Sequence, residues 1–183
     1  AGNLGNTAAF GKALREAKEW GLISPVPRLA AVQAEGAAPF VRSFEEKFAT
    51  RHTVKADTIA TAIRIGDPAS YDRAVLAIRE TDGVVLSVSD AELMEAKAAV
   101  DGCGVGCEPA SAAAVAGLRA LVRRGVVDPS QRVVVVLTGH VLKDPGALLH
   151  YHREMDPPPP GANRPVEIEP TLAEVEAQLR RPS

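Results

Sequence analysis

The sequence predicts a three-layer α/β fold, in which a mostly parallel sheet has helices on both faces. Two observations support this prediction. Apolar runs of strand length alternate with segments that have helical apolar spacing, which is the pattern of parallel α/β sheets. In addition, residues 133–137 are continuously apolar, and a strand without alternation is buried on both faces, as in a parallel sheet.

The first half of the chain contains two strand-length runs between helical segments. Residues 7–20 carry Phe10, Leu14 and Ala17 on one face, and Gly21 is suited to end that helix. Similar patterns of apolar spacing and turn residues define the other elements. We expect strands at residues 29–34 and 83–88, helices at residues 38–48 and 68–81, and extended or irregular structure between residues 51 and 67.

The second half begins with two predicted helices. Ser89 or Asp90 is expected to cap the first of them. Pro109 suits the first position of the next helix, where its missing N–H costs nothing, and Gly125 ends that helix. Residues 132–137 then form the clearest predicted strand of the chain.

The sequence pattern changes after residue 156. Residues 1–156 are expected to form one large α/β unit, and residues 157–183 a proline-rich spacer with a C-terminal tail. The run Pro-Pro-Pro-Pro at residues 157–160 favours a stiff extended conformation. Residues 166–169 suit an edge strand or an extended tail, and Thr171 has the capping-box spacing that begins a terminal helix.

Bulk composition excludes several classes of protein. The chain has 183 residues and a net charge of -2, so it has no basic field that would attract nucleic acid. No apolar run approaches the roughly 20 residues that span a bilayer. We therefore expect neither a nucleic-acid partner nor a membrane partner.

The two cysteines, Cys103 and Cys107, predict no metal site. No histidine or second cysteine pair lies nearby at the spacing of metal ligands. A disulfide between them is sterically possible but would be unusual in a cytosolic protein. The preferred interpretation is two plain thiols that are buried or half-buried.

The sequence Gly-Asn-Leu-Gly-Asn at residues 2–6, called the N-terminal loop below, directly precedes the first predicted helix. Glycine allows tight turns and close approach of a ligand, and the free N–H groups of a first helical turn attract anions. These features favour a phosphate site. An ordinary turn before a helix explains the pattern equally well, and the glycine spacing differs from that of the dinucleotide-binding fingerprint.

Two further segments contain candidate site residues. Thr138 and His140 follow the predicted strand at residues 132–137, where ligands bind in open α/β sheets. Thr138 could contact a bound ring or merely end the strand, and His140 more often hydrogen-bonds its own loop than acts as an acid or base. Glu108 favours a helix N-terminus electrostatically, and Ser111 could cap that helix or face a cavity.

Four motifs in this order resemble threonine synthase over residues 2 to about 147. The motifs are the N-terminal loop, Ala-Thr-Ala-Ile-Arg-Ile-Gly-Asp-Pro-Ala-Ser at residues 60–70, Glu-Pro-Ala-Ser-Ala-Ala at residues 108–113, and Leu-Thr-Gly-His-Val-Leu-Lys-Asp-Pro at residues 137–145. The third motif is shared loosely with related lyases such as threonine dehydratase, whereas the second and fourth point to threonine synthase itself.

The resemblance implies a cofactor, pyridoxal 5'-phosphate, and the fold of the tryptophan synthase β-subunit, known as fold type II. Thr138 matches the residue whose hydroxyl meets the pyridine nitrogen. Thr61 and Ala62 match the wall of the cofactor pocket more weakly. The residues that match the loop for the cofactor phosphate are Gly2, Asn3, Leu4, Gly5 and Asn6.

One expected feature of the family is missing from the sequence. The family binds its cofactor through a Schiff-base lysine in a Ser/Thr-Phe-Lys-Asp-like motif that lies before the phosphate loop. No lysine of this chain has such a context, whether Lys12, Lys18, Lys47, Lys55, Lys97 or Lys143. We therefore expect no catalytic residue in this chain, a catalytic lysine upstream, and no covalent cofactor binding by the chain alone.

The resemblance implies the conversion of O-phospho-L-homoserine and water to L-threonine and phosphate, in a cytoplasmic homodimer. Two alternatives remain open. One is another lyase of the same fold, such as a threonine or serine dehydratase. The other is a non-catalytic fragment of such an enzyme without the Schiff-base lysine.

Overall fold

The computed structural model describes residues 1–180. Nine helices or strands longer than four residues within this range are labelled in chain order, apart from a π-helical turn at His150–Glu154 that follows α6. They are α1 (Gly5–Glu19), β1 (Ala30–Ala34), α2 (Pro39–Glu45), α3 (Tyr71–Glu80), β2 (Val84–Val88), α4 (Asp90–Gly102), α5 (Pro109–Arg123), α6 (Pro145–Leu149) and α7 (Leu172–Leu179).

The two strands pair in parallel and divide the core into two parts. Ala30 lies opposite Val84, and the pairing continues in register to Ala34 opposite Val88. Because successive side chains of a strand point to opposite faces, Ala31 packs with the buried side chains of α2 and α3, whereas Val32 packs with those of α4 and α5. The predicted α/β fold with helices on both faces is confirmed.

Most predicted helices are confirmed with small shifts of their ends. The clearest difference is the second helix, which ends at Glu45 rather than at Phe48. Lys47 and Phe48 have positive φ angles of 54° and 62°, so the chain reverses there. The reversal brings the Phe48 ring to 5.2 Å from the ring of the fully buried Phe40, and this aromatic contact outweighs a longer helix.

The predicted helix caps also agree with the structure. Ser89 caps α4 in a complete capping box with Glu92. Pro109 occupies the first turn of α5, and Gly125 follows its end with a positive φ of 68°. At the start of α7, the Thr171 side chain accepts a hydrogen bond from the backbone of Glu174.

The predicted strand at residues 132–137 is wrong for the described part of the chain. The sheet has two strands, β1 and β2, and residues 132–137 pair with neither. Val134 is 82% exposed, and Val133 and Val136 are also exposed. A strand requires a neighbour for its ladder of hydrogen bonds, and residues 1–180 provide none beside this run. Residues 166–169 likewise form no strand.

The cysteines differ from each other. Cys107 is fully buried, and burial raises the pKa of its thiol. Cys103 is exposed, contrary to expectation, because it lies in the turn just after α4 ends. Both thiols are free.

The chain beyond residue 156 contacts α4. A Cβ atom at Gly161 would lie 3.0 Å from the Cβ of Ala98, and the Asn163 N–H donates to Nδ1 of His152 at 2.9 Å. α7 itself buries no side chain. The domain boundary at residue 156 stays a prediction.

A buried charged group lies beneath this contact. Lys97 is completely buried and donates to the carboxylate of Asp101, one helical turn further along α4. His152 is also buried. Burial lowers the pKa of His152 below its ordinary value of 6.5, and the Lys97 cation lowers it further, partly opposed by Asp101.

Two classes of feature are absent from residues 1–180. No helix among them has the length and hydropathy to cross a membrane. No group of three or more histidine, cysteine or acidic side chains among them could hold a metal ion.

The contact between α1 and α3 depends on a missing side chain. A Cβ atom at Gly11 would lie 2.2 Å from the Cβ and 2.8 Å from the Cα of Ala77. Both distances are far below a normal carbon–carbon contact. Glycine therefore allows α1, which carries the N-terminal loop at its start, to lie directly against α3.

We predict that Gly11→Ala destabilises the protein, because the two helices must separate. Overpacking of this kind costs about 1–3 kcal/mol, which exceeds the helix propensity that alanine gains. The matched control is Gly102→Ala at the end of α4, where an added Cβ meets no atom within 4 Å. Urea unfolding measures the free energy of unfolding of both variants. Equal free energies of unfolding for Gly11→Ala and the wild type would contradict the close contact.

We also predict that the free energy of unfolding falls as pH decreases below about 6.5. The unfolded state binds a proton on His152 there, whereas the folded state resists it because the folded pKa is lowered. The slope of the free energy of unfolding against pH should be shallower in His152→Gln than in the wild type. It should be unchanged in His150→Gln, whose side chain is exposed. Urea unfolding between pH 7 and pH 5 measures it, and equal slopes for wild type and His152→Gln would refute the prediction.

Candidate functional site

The N-terminal loop contains backbone donors that have no hydrogen-bond acceptor. α1 begins at Gly5, and Leu4 precedes it with a left-handed φ of 60°. The Leu4 side chain is buried with those of α2 and α3, so the turn is anchored from below. No side chain caps this helix, and the N–H groups of residues 2–7 have no acceptor within residues 1–180. Among these residues Asn3, Gly5 and Asn6 are exposed, and unpaired N–H groups at the start of a helix favour an anion.

Contacts with the segment before α3 hold the loop in place. The side-chain oxygen of Asn3 accepts a hydrogen bond from the Ala69 N–H at 2.7 Å, and its carbonyl oxygen accepts one from the Ser70 N–H at 3.2 Å. A Cβ atom at Gly2 would lie 2.8 Å from the Cα of Ile63. The Asn3 oxygen thus braces the loop, and the free donors are backbone N–H groups.

The first turn of α5 holds the segment that contains Thr138. The Glu108 N–H donates to the Gly139 carbonyl at 3.0 Å, and the Gly139 N–H donates to the Ser111 hydroxyl at 2.9 Å. The Thr138 side chain is exposed, and its Oγ1 lies 3.4 Å from the Oγ of Ser111. The Ser111 hydroxyl thus contacts the Thr138 segment, a role that the sequence analysis did not consider.

Glu108 lies at the start of α5, as the sequence analysis expects, and its side chain also makes a packing contact. It precedes α5 but its side chain makes no capping hydrogen bond. Instead, the buried side chain packs against Gly139, where an added Cβ would lie 1.9 Å from Glu108 Oε1. Only glycine allows this approach at residue 139.

The short 3₁₀ turn Thr61–Ile63 connects the two parts of the site. The Thr61 hydroxyl donates to Asp144 Oδ2 at 2.7 Å, and the Thr61 N–H donates to the same oxygen at 3.3 Å. The other end of the turn contacts Gly2 through Ile63. One turn therefore touches the N-terminal loop and the chain that follows Thr138.

Asp144 is the residue of this site that sequence reasoning missed. It belongs to the last resembling motif, but no spacing rule connects it to Thr61, which lies 83 residues earlier. Asp144 has a positive φ of 59°, and its Oδ2 accepts hydrogen bonds from both the N–H and the hydroxyl of Thr61. No signal in a single sequence reveals such a contact.

His140 and Lys143 take part only in their local turn. Nδ1 of His140 accepts a hydrogen bond from the Leu142 N–H at 3.2 Å, which confirms the local interpretation of this histidine. The Lys143 N–H donates to the His140 carbonyl, and its side chain is exposed.

Comparisons with known proteins identify relatives along most of the chain. The profile of the pyridoxal-phosphate dependent enzyme family matches residues 1–139. The chain is 43% identical over 152 residues to a threonine synthase from Methanosarcina acetivorans, which covers 81% of this chain and 37% of the relative. It is 40% identical over 167 residues to the threonine synthase of Mycobacterium leprae, covering 91% of this chain and 44% of the relative.

A solved structure also matches. The crystal structure of a T.th. threonine deaminase aligns with a TM-score of 0.54 at 26% identity, over 70% of this chain and 43% of that protein. The chain spans less than half the length of each of these relatives. Because the family profile covers residues 1–139 of 183, the chain belongs to the pyridoxal-phosphate dependent enzyme family.

Proposed function

We propose that the chain is the C-terminal portion of a threonine synthase, a pyridoxal-phosphate dependent lyase that converts O-phospho-L-homoserine and water to L-threonine and phosphate. The identity of about 40% to several threonine synthases supports this assignment. That identity is the observation that carries the proposal, and the structure supports it: four segments far apart in sequence meet through the turn Thr61–Ile63 and the first turn of α5.

The N-terminal loop suits the phosphate of the cofactor. Its backbone N–H groups lack acceptors in the described chain, and the positive end of the α1 dipole adds to their attraction for an anion. A Cβ atom at Gly5 would meet no atom within 4 Å, so space remains in front of the helix. The residues assigned to the phosphate are Gly2, Asn3, Leu4, Gly5 and Asn6.

Thr138 suits the pyridine nitrogen. Its exposed hydroxyl can donate one hydrogen bond to a ring atom. A hydroxyl, unlike a carboxylate, does not hold that nitrogen protonated. When bound, pyridoxal phosphate supplies an electron sink for a carbanion of the substrate, and the protein sets the strength of that sink through this contact.

Thr61 and Ala62 are assigned to the wall of the pocket. Both are exposed in the chain, and the hydroxyl of Thr61 is already engaged by Asp144. We infer that Thr61 fixes the shape of the wall rather than contacting the substrate with its hydroxyl.

The catalytic lysine is assigned to sequence outside residues 1–183. Lys97 is the one lysine buried within residues 1–180, and it is paired with Asp101 in the core beneath His152. The exposed Lys12 and Lys143 lie on α1 and in the His140 turn. None of the three has the sequence context of a Schiff-base lysine.

A threonine or serine dehydratase is the second candidate. The structural likeness to threonine deaminase favours it, although the sequence identity is lower than that to the threonine synthases. A non-catalytic fragment is the third possibility. Cytoplasmic location and a homodimer complete the proposal for the enzyme.

We predict that the polypeptide of the complete reading frame, loaded with pyridoxal phosphate, releases inorganic phosphate and threonine from O-phospho-L-homoserine. Phosphate release and amino-acid analysis measure this reaction. The control substrates are L-threonine and L-serine, from which a dehydratase releases ammonia. Ammonia release without phosphate release would establish the dehydratase. If neither phosphate nor ammonia is released, the result favours the non-catalytic fragment.

We also predict that the 183-residue chain alone does not bind pyridoxal phosphate covalently. After incubation with the cofactor and reduction with borohydride, its mass should be unchanged at cofactor concentrations that label the complete polypeptide. The control is the non-specific labelling of exposed surface lysines, which rises with cofactor concentration and does not saturate. A saturable adduct on one lysine of the short chain would overturn the assignment of the catalytic lysine.

A further inference from the structure

The hydroxyl of Ser111 occupies a buried position between two groups of the Thr138 segment. The side chain lies in the first turn of α5 and is only 5% exposed. Its Oγ accepts the Gly139 N–H at 2.9 Å and lies 3.4 Å from Thr138 Oγ1. No sequence motif assigns a function to this hydroxyl.

Counting hydrogens limits what this pair can do. A hydroxyl has one proton to donate and two lone pairs that accept. The Gly139 N–H uses one lone pair of Ser111, and the nearest side-chain acceptor for the Ser111 proton is Thr138 Oγ1. When Ser111 donates to Thr138, the proton of Thr138 is left to point away from α5, toward whatever faces its exposed side.

The backbone around the pair is fixed from both sides. The Gly139 carbonyl accepts the Glu108 N–H at 3.0 Å, while the Gly139 N–H donates to Ser111. The Glu108 side chain closes the space beside the Gly139 Cα. Thr138 is thus attached to a segment that α5 holds by two hydrogen bonds, and rotation of its side chain is the remaining freedom.

We propose that Ser111 is a positioning residue that orients the Thr138 hydroxyl as a donor toward the pyridine nitrogen of the cofactor. This inference rests on the proposed function, since it requires the ring at Thr138. A donor at this position keeps the nitrogen as an unprotonated acceptor. Without Ser111, the Thr138 hydroxyl can rotate and can equally accept a hydrogen bond from a protonated ring nitrogen.

The test uses the complete polypeptide loaded with pyridoxal phosphate that carries ¹⁵N in its ring. The ¹⁵N chemical shift separates a protonated from an unprotonated pyridine nitrogen, and it does not depend on catalysis. We expect Ser111→Ala to move this resonance toward the protonated form. We also expect about a three- to tenfold weaker affinity for the cofactor, the loss that one neutral hydrogen bond gives.

Two further variants separate orientation from stability. Ser111→Cys keeps the volume but loses a strong hydrogen-bonding group, so it should shift the resonance in the same direction. Ser43→Ala is the control. Ser43 is also fully buried and makes two hydrogen bonds, to Pro39 and His52, on the opposite side of the sheet, so its loss should reduce stability and leave the resonance unchanged.

The outcomes distinguish this inference from the proposed function. A wild-type resonance and affinity in both Ser111 variants would overturn the positioning role while the cofactor site stands. A resonance that moves equally in Ser43→Ala would also overturn it, because the change would then report general stability. A wild-type protein that binds no cofactor at all would instead reject the proposed function.

Discussion

The arrangement of the site depends on how the first turn of α5 binds the backbone of Gly139. Residues 132–137 have no partner strand within residues 1–180 and are largely exposed, so the sheet does not hold this part of the chain. The hydrogen bonds of Gly139 with Glu108 and Ser111 do so instead. Thr138 precedes Gly139 directly, so this attachment sets the position of Thr138. The same segment continues to Asp144, which contacts the turn that begins at Thr61.

The sheet determines on which side of the molecule each helix packs. Parallel pairing of β1 and β2 places α2 and α3 on one face and α4 and α5 on the other. α5 lies close to β1 at Gly117, because glycine has no side chain there. An added Cβ atom would be 2.3 Å from Val32 Cγ2. The absence of a side chain at Gly117 thus lets the middle of α5 pack against β1.

Local sequence patterns predicted the elements whose causes are local. Ser89, Pro109 and Gly125 act within a few residues, and each behaves as its side chain or lack of one requires. The strand at residues 132–137 failed because a strand needs a neighbour, which its own sequence does not describe. The reversal at Phe48 and the Thr61–Asp144 contact are likewise products of tertiary packing. The candidate loop could be found in the sequence, but the bracing of Asn3 by Ala69 could not.

The most direct test of the account is the crystal structure of the complete polypeptide with pyridoxal phosphate bound. The account predicts phosphate oxygens at about 2.9 Å from backbone nitrogens of residues 3–6, and the pyridine nitrogen within about 3 Å of Thr138 Oγ1. A cofactor whose phosphate lies elsewhere, or whose ring nitrogen has no contact with Thr138, would contradict it.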